Sequence, residues 1–319
     1  MPTEDSQPRQ STNLLMMIRP SAFRMNEETA VNNAYQREAP NLGDAVDRAQ
    51  DEFDGVVKAL RHHGVKVAVY DSDPEADTPD ALFPNNWVSF HRDGRVGLYP
   101  MFAANRRRER REVLLHSLAT DQDLTFDSLV DFTEFEQHSV YLEGTGSLIL
   151  DRVNMKAYAA IGPRTDRQAA QHFCEAFGYE LMDFIALQTS GDTTAPIYHT
   201  NVMLAIGSEW AVVCDAIIPD ATERQQVLSA LESGGRTVVR ISPEQVNGFA
   251  GNVLEVLNGD GQPLIAMSSA AHQSFTPEQR EALEAIAPIV HAPIPTIEQL
   301  GGGSVRCMLA EVFLPQNAQ

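Results

Sequence analysis

Trp87-Val88-Ser89-Phe90, His91-Arg92-Asp93-Gly94, Arg95-Val96-Gly97-Leu98-Tyr99 is the stretch from which the fold is read. Two short apolar runs flank a polar turn, and its Asp-Gly pair marks a hairpin. The same phrase returns three times. Ser147–Leu150 and Lys156–Ala159 flank a turn near Asp151–Asn154. Asn201–Ile206 and Trp210–Cys214 flank Gly207-Ser208. Asn252–Leu257 and Leu264–Met267 flank Asn258-Gly259-Asp260-Gly261. Behind the hairpins come helical stretches: a charged one that begins at Arg106 with Asn105 as its cap, one capped by Thr165 and closed by Gly178, one over Ala221–Ser233, and one over Pro277–Ile286. Short strands follow the later ones, at Thr237–Val239 and Ile289–Val290.

Working outward from these copies, Leu14–Ile18 reads as a buried strand stopped by Pro20. A helix is expected from Asn41 to His63, with Asn41 as its cap, then Gly64 and a strand over Val65–Val69. Cys307–Leu314 reads as a last core strand. Hairpin, helix and strand thus recur four or five times, at a spacing on the order of 50–60 residues. One such unit cannot cover its own faces, whereas repeated units can close around an axis with strand ends facing a central channel. No Pro/Gly/Ser linker divides the chain, so residues 13–316 are expected to form a single domain behind a disordered lead, residues 1–12.

Composition narrows the function. The chain has 319 residues, 24 basic against 44 acidic, a net charge of −20. Such a charge repels phosphate backbones, so no nucleic-acid partner is expected. No run approaches the roughly 18 apolar residues that span a bilayer, and MPTEDSQPRQST lacks the apolar core of a signal peptide. Cysteines 174, 214 and 307 offer neither a disulfide framework nor a CxxC pair. A soluble, cytoplasmic protein without membrane association is the expectation. Phosphate-loop, GxGxxG, HExxH and GxSxG motifs are absent, and the nine histidines show no metal-ligand spacing. No metal and no cofactor are expected.

Four polar spots stand at the starts of apolar strands: Asn85 and Asn86 in Phe83-Pro84-Asn85-Asn86, Glu143 before Gly144-Thr145-Gly146, His199 before Thr200-Asn201, and Cys307 after Gly301-Gly302-Gly303. Each also has a plain structural reading: a turn cap, a solvated acid, a satisfied core histidine, a small buried thiol. Together they occupy one place in successive repeats, and in a ring of repeats such places converge. A thiol, an imidazole and a carboxylate suit nucleophilic attack on a planar, electron-poor carbon.

These motifs, in this order, resemble the guanidino-group modifying superfamily: arginine deiminases, dimethylarginine dimethylaminohydrolases, amidinotransferases and arginine dihydrolases. The resemblance runs over nearly the whole chain after residue 13. It implies the pentein fold, a five-bladed α/β propeller of ββαβ units around a pseudo-fivefold axis. It implies Cys307 as nucleophile, His199 as general base and Glu143 as the carboxylate that grips the N–H groups of the substrate. It also implies Asn85 and Asn86 at the family's Phe-x-x-Asp position and Arg164 as anchor of the substrate carboxylate. This chain departs from the family with Asn86 in place of Asp and Gly146 in place of a second acid. An amide donates and accepts, and so suits a neutral ureido group as well as a guanidinium. The implied activity is hydrolysis at the guanidino or ureido carbon of an arginine-like small molecule, arginine or citrulline to ornithine with release of ammonia. Amidino transfer to an amine, single-step deimination and dimethylarginine hydrolysis are the alternatives. A homo-oligomer and the roles of Asn13, Asn26, Asn33, Arg106 and Asn252 stay open.

Overall fold

A computed structural model describes residues 9–37, 44–190 and 193–317. Five three-stranded sheets share one plan. In four of them a tight antiparallel hairpin is followed by a helix that returns the chain parallel to the hairpin's second strand. A parallel pair needs such a crossover. The strands are β1 (Leu14–Arg19), β2 (Lys66–Asp71), β3 (Val88–Phe90), β4 (Arg95–Leu98), β5 (Ser128–Asp131), β6 (Leu148–Asp151), β7 (Lys156–Ala160), β8 (Glu180–Phe184), β9 (Leu187–Ser190), β10 (Thr193–Pro196), β11 (Leu204–Ile206), β12 (Trp210–Val213), β13 (Thr237–Arg240), β14 (Leu254–Leu257), β15 (Pro263–Ser268), β16 (Ile289–Ala292) and β17 (Ala310–Glu311). The four sequential sheets are β3-β4-β5, β6-β7-β8, β11-β12-β13 and β14-β15-β16. The other is built from both ends of the chain: β17 pairs antiparallel with β1, Leu15 opposite Glu311, and β1 pairs parallel with β2. The β9–β10 hairpin is an addition to this plan.

The unbroken apolar run of β1 is explained by burial on both faces. Leu15 and Met17 join a cluster with Phe53 and Val56 of the helix Ala45–His62 and with Leu254 and Val256 of β14. Leu14, Met16 and Ile18 join another with Val88, Phe90, Val96 and Leu98. Sheet β6-β7-β8 is shared in the same way. Leu148 and Leu150 pack with Phe173 and Tyr99, while Ile149 and Tyr158 pack with β11 and β12. Apolar clusters therefore connect each sheet to the sheets beside it. The fold is mixed α/β, made of small sheets none of which closes on itself.

Several local expectations are corrected. Asn105 caps no helix: it lies inside a short 3₁₀ turn, Asn105–Glu109, and the α-helix starts only at Glu112. Asp166, not Thr165, caps the helix Arg167–Phe177, accepting from the Gln168 and Ala169 N–H groups. Asn41 lies outside the described residues; the helix it was expected to cap runs Ala45–His62. Cys307 is not in a strand but in a one-turn helix, Val305–Met308, before the two-residue β17. The lead expected to be disordered over residues 1–12 is anchored at its end, because its side chains find buried partners. Gln10 Nε2 donates to Leu150 O at 2.8 Å, Ser11 Oγ to Glu255 Oε1 at 2.7 Å, and Thr12 Oγ1 to Val312 O at 2.8 Å. Residues 1–8 lie outside the described residues. Among the described residues, no helix is long and apolar enough to cross a membrane, and no cluster of His, Cys, Asp and Glu fits a metal ion.

Candidate active site

Short turns deliver the chemistry. A single helical turn precedes the first strand in four sheets: Pro84–Asn86 before β3, Gly144–Ser147 before β6, Thr200–Val202 before β11 and Val305–Met308 before β17. Asn85 and Asn86 lie within the first of these turns, and Glu143 and His199 directly precede the second and third. Glu143 and His199 stand at N-cap positions yet make no side-chain cap bond, which leaves both free for each other. Cys307, His199, Asn86 and Arg164 line one cleft with Asp80, Phe83, Arg106, Tyr198 and the three glycines. Its volume is about 10 Å³, room for about one water.

Glu143 and His199 form a tight pair, Nε2 to Oε2 2.7 Å, with both side chains buried. The other carboxylate oxygen accepts the Phe102 N–H at 3.0 Å. Arg164 Nη1 stands 3.5 Å and Arg106 Nη1 3.7 Å from Oε2. Burial pushes the Glu143 carboxyl up, but Arg164, the His199 hydrogen bond and Arg106 outweigh it and hold it well below the usual carboxylate range. Burial pushes His199 down; Glu143 pulls it back, Arg164 and Arg106 oppose that, and it comes to about 4. The pair at neutral pH is thus a carboxylate with a neutral imidazole, which is free to accept a proton. Gly146 makes their packing possible: a Cβ there would stand 2.5 Å from Asn86 Nδ2 and 2.8 Å from His199 Nδ1.

The Cys307 sulfur accepts two amide N–H groups, from Asn201 Nδ2 at 3.3 Å and Asn252 Nδ2 at 3.2 Å. The glycine run before it turns through Gly302, whose φ of +63° suits a residue without Cβ, while Gly301 packs on the Phe83 ring. Tyr198 Oη and Asn33 Nδ2 both donate to Gly302 O, at 2.7 and 3.3 Å.

Asn85 and Asn86 bond each other, Nδ2 of Asn86 to Oδ1 of Asn85 at 3.0 Å; Asn85 Nδ2 reaches Thr145 Oγ1, and Asn86 Oδ1 accepts from Arg106 Nη1 at 2.8 Å. Arg164 is likewise engaged, by Asn32 Oδ1 on Nε at 2.9 Å and by Thr29 O on Nη2 at 2.8 Å. Arg106, whose role the sequence leaves open, is buried and doubly paired with Glu109. Asp80 has no counterpart among the expected residues. Its Oδ2 accepts from Asn26 and Thr29, and its buried Oδ1 has no partner. Its position three residues before Phe83 was the available signal, hidden at the edge of an acidic loop. Asn26 and Asn33 support the site, whereas Asn13 contributes a backbone carbonyl to Lys66 N.

Five like sheets, with a thiol in one of the turns that lead into them and a carboxylate-held imidazole just before another, make a fold that solved guanidino-modifying enzymes of the pentein type share over nearly the whole chain. ArgZ, an arginine dihydrolase from the ornithine-ammonia cycle in cyanobacteria, matches with a TM-score of 0.70 at 15% identity, over 95% of this chain and 41% of its own. Its N-terminal domain bound to substrate is covered to 99%. Unliganded AgrE matches at 0.71 and 16%, over 96% of this chain and 40% of its own. A dimethylarginine dimethylaminohydrolase, solved as an adduct with S-methyl-L-thiocitrulline, matches at 0.60 and 13%, over 93% and 98%. No curated protein sequence matches. The chain belongs to the family described as N,N dimethylarginine dimethylhydrolase, eukaryotic, whose model matches residues 19–314. It spans about two fifths of the full ArgZ and AgrE chains.

Proposed function

We propose that this chain hydrolyses the guanidino or ureido carbon of an arginine-like amino acid through a covalent adduct on Cys307, within a five-bladed propeller of its repeated sheets. The observation that carries this reading is the single cleft lined by Cys307, His199 and Arg164, with Glu143 bonded to His199. The neutral His199 takes the thiol proton, and the sulfur adds to the central carbon. The imidazolium, steadied by Glu143, returns that proton to the departing nitrogen. Water then adds to the S-linked carbon, gives its proton to His199, and the C–S bond breaks. From arginine one cycle yields citrulline and ammonia; a second yields ornithine, carbon dioxide and ammonia. Arg164 exchanges Asn32 for the substrate's α-carboxylate.

Asn86 favours a substrate that is neutral at the reacting end. Arg106, a buried cation, donates to its carbonyl and stands 3.7 Å from Glu143. One N–H and one lone pair of the amide remain for a ureido group. The match to the dimethylarginine family supports a second reading, dimethylarginine to citrulline and dimethylamine. Mass spectrometry of arginine, citrulline, methylarginines, agmatine and N-acylated arginines after incubation separates the two. Loss of all turnover in Cys307→Ala with the melting temperature kept is expected; retained turnover refutes the assignment.

A further inference from the structure

We infer that Asn201 and Asn252 form an amide clamp on the Cys307 sulfur, two positioning residues that hold it as a hydrogen-bond acceptor while it attacks and when it departs. The inference rests on Cys307 being the nucleophile. The two amides come from segments that lead into different sheets, three residues before β11 and two before β14. They meet at one atom, at 3.3 and 3.2 Å. They are also tied to each other, since Asn252 Nδ2 donates to Asn201 O at 3.1 Å. Gly251 lets these segments approach: a Cβ there would stand 2.2 Å from Val202 O.

Two further observations separate a clamp from ordinary packing. Both side chains are fully buried, yet Asn201 Oδ1 and Asn252 Oδ1 have no hydrogen-bond partner. An asparagine that served only the core would have its carbonyl met, because a buried unmet acceptor is costly. Here the carbonyls go unmet while the N–H groups face sulfur. The adjacent cation, Arg306, is directed instead to Leu309 O and Glu311. Neutral donors therefore serve the sulfur, as donors to developing negative charge do in other sites. They support it both as the attacking nucleophile and as the thiolate released when water cleaves the adduct.

The test uses Asn201→Ala, Asn252→Ala and Asn252→Asp in the full chain, each checked by thermal melting. The first readout is the rate of iodoacetamide alkylation at Cys307, followed by peptide mass spectrometry without substrate. If the amides only fill space, their removal opens room beside the sulfur they touch and alkylation speeds up. The clamp predicts the opposite: each Ala variant slows about 10-fold, the loss of one hydrogen bond to a charged atom. Asn252→Asp, which keeps the shape and turns a carboxylate toward sulfur, slows further, and it carries the test should an Ala variant fail to fold. The second readout is turnover, with kcat expected to fall about 10-fold per amide while KM moves less than about threefold. Alkylation as fast as in the unmodified chain, or faster, overturns the clamp. If alkylation slows but no guanidino or ureido compound is turned over by the unmodified chain, the clamp stands and the proposed reaction falls. If turnover persists through Cys307 and alkylation does not slow, the clamp alone falls.

Discussion

Replacing His199 by Gln should flatten one limb of the acid sensitivity of this protein. In the folded chain burial, against the pull of Glu143, keeps the imidazole neutral down to about pH 4. In the unfolded chain it takes a proton near 6.5. The native state therefore binds fewer protons than the unfolded state between those values, and stability is lost as pH falls from 6.5 toward 4. Integrated from pH 7.5 to 5.0, the histidine's share is about 2 kcal/mol. With roughly 2.1 cal/mol/K of unfolding entropy per residue, a chain of 319 residues loses about 3 °C of melting temperature for that amount. Glutamine keeps an N–H for Glu143 but does not titrate. Buried His91 and half-exposed His272, both lowered by burial first, titrate in both proteins and cancel in the difference. Glu143, held far down by its arginines, stays ionised throughout the window. The assay is differential scanning calorimetry of both proteins at pH 7.5, 6.5, 5.5 and 5.0. The drop should be about 3 °C smaller in His199→Gln. Equal drops would mean that folding does not lower the proton affinity of His199, and a larger drop in His199→Gln that the imidazole is charged in the fold at neutral pH; the neutral-imidazole mechanism would fall with the second result.

Glu143→Gln leaves Arg164 and Arg106 without a carboxylate they face at 3.5 and 3.7 Å. A loss of about 3–5 kcal/mol is expected, with turnover down about 10²–10⁴-fold, checked by melting and steady-state kinetics; an unchanged melting temperature would contradict the buried network. Gly146→Ala puts a methyl against Asn86 and His199. It should cost about 1–3 kcal/mol and, by displacing the imidazole, about 100-fold in kcat. Asn32→Ala frees the Arg164 fork. KM should fall about fivefold, one modest hydrogen bond, for substrates with an α-carboxylate and stay unchanged for agmatine; equal effects on both would detach Arg164 from carboxylate binding. Asn86→Asp should favour release of the ureido product over a second hydrolysis, read as the citrulline-to-ornithine ratio; an unchanged ratio removes Asn86 from that choice.

How far the sequence could be read depends on whether a residue's partner is near it in the chain. The helix Ala221–Ser233 has the bounds its pattern predicts, because its cap, Asp220, and its end are local. The hairpins are legible for the same reason: Gly94 and Gly261, at φ of +78° and +75°, sit where Asp-Gly pairs demand them. Arg106 is the opposite case. Among Arg107, Arg108 and Arg110 the sequence leaves its role open, and only its partners Glu109, Asn86 and Phe83 O explain why it is inside. Asp80 was missed likewise, since Asn26 and Thr29, which hold it, are more than 50 residues away. Cys307 lies between these cases. Its apolar surroundings fit a strand, but in three other sheets a one-turn helix stands before the strand, at Pro84–Asn86, Gly144–Ser147 and Thr200–Val202. Aligned on that turn rather than on hydrophobicity, the thiol falls three residues before β17, the place Asn85 holds before β3 and Asn201 before β11. The recurrent unit is therefore turn plus hairpin. Residues in its turn face the other turns across the interior, which is why amides that lead into two sheets can meet one sulfur that leads into a third.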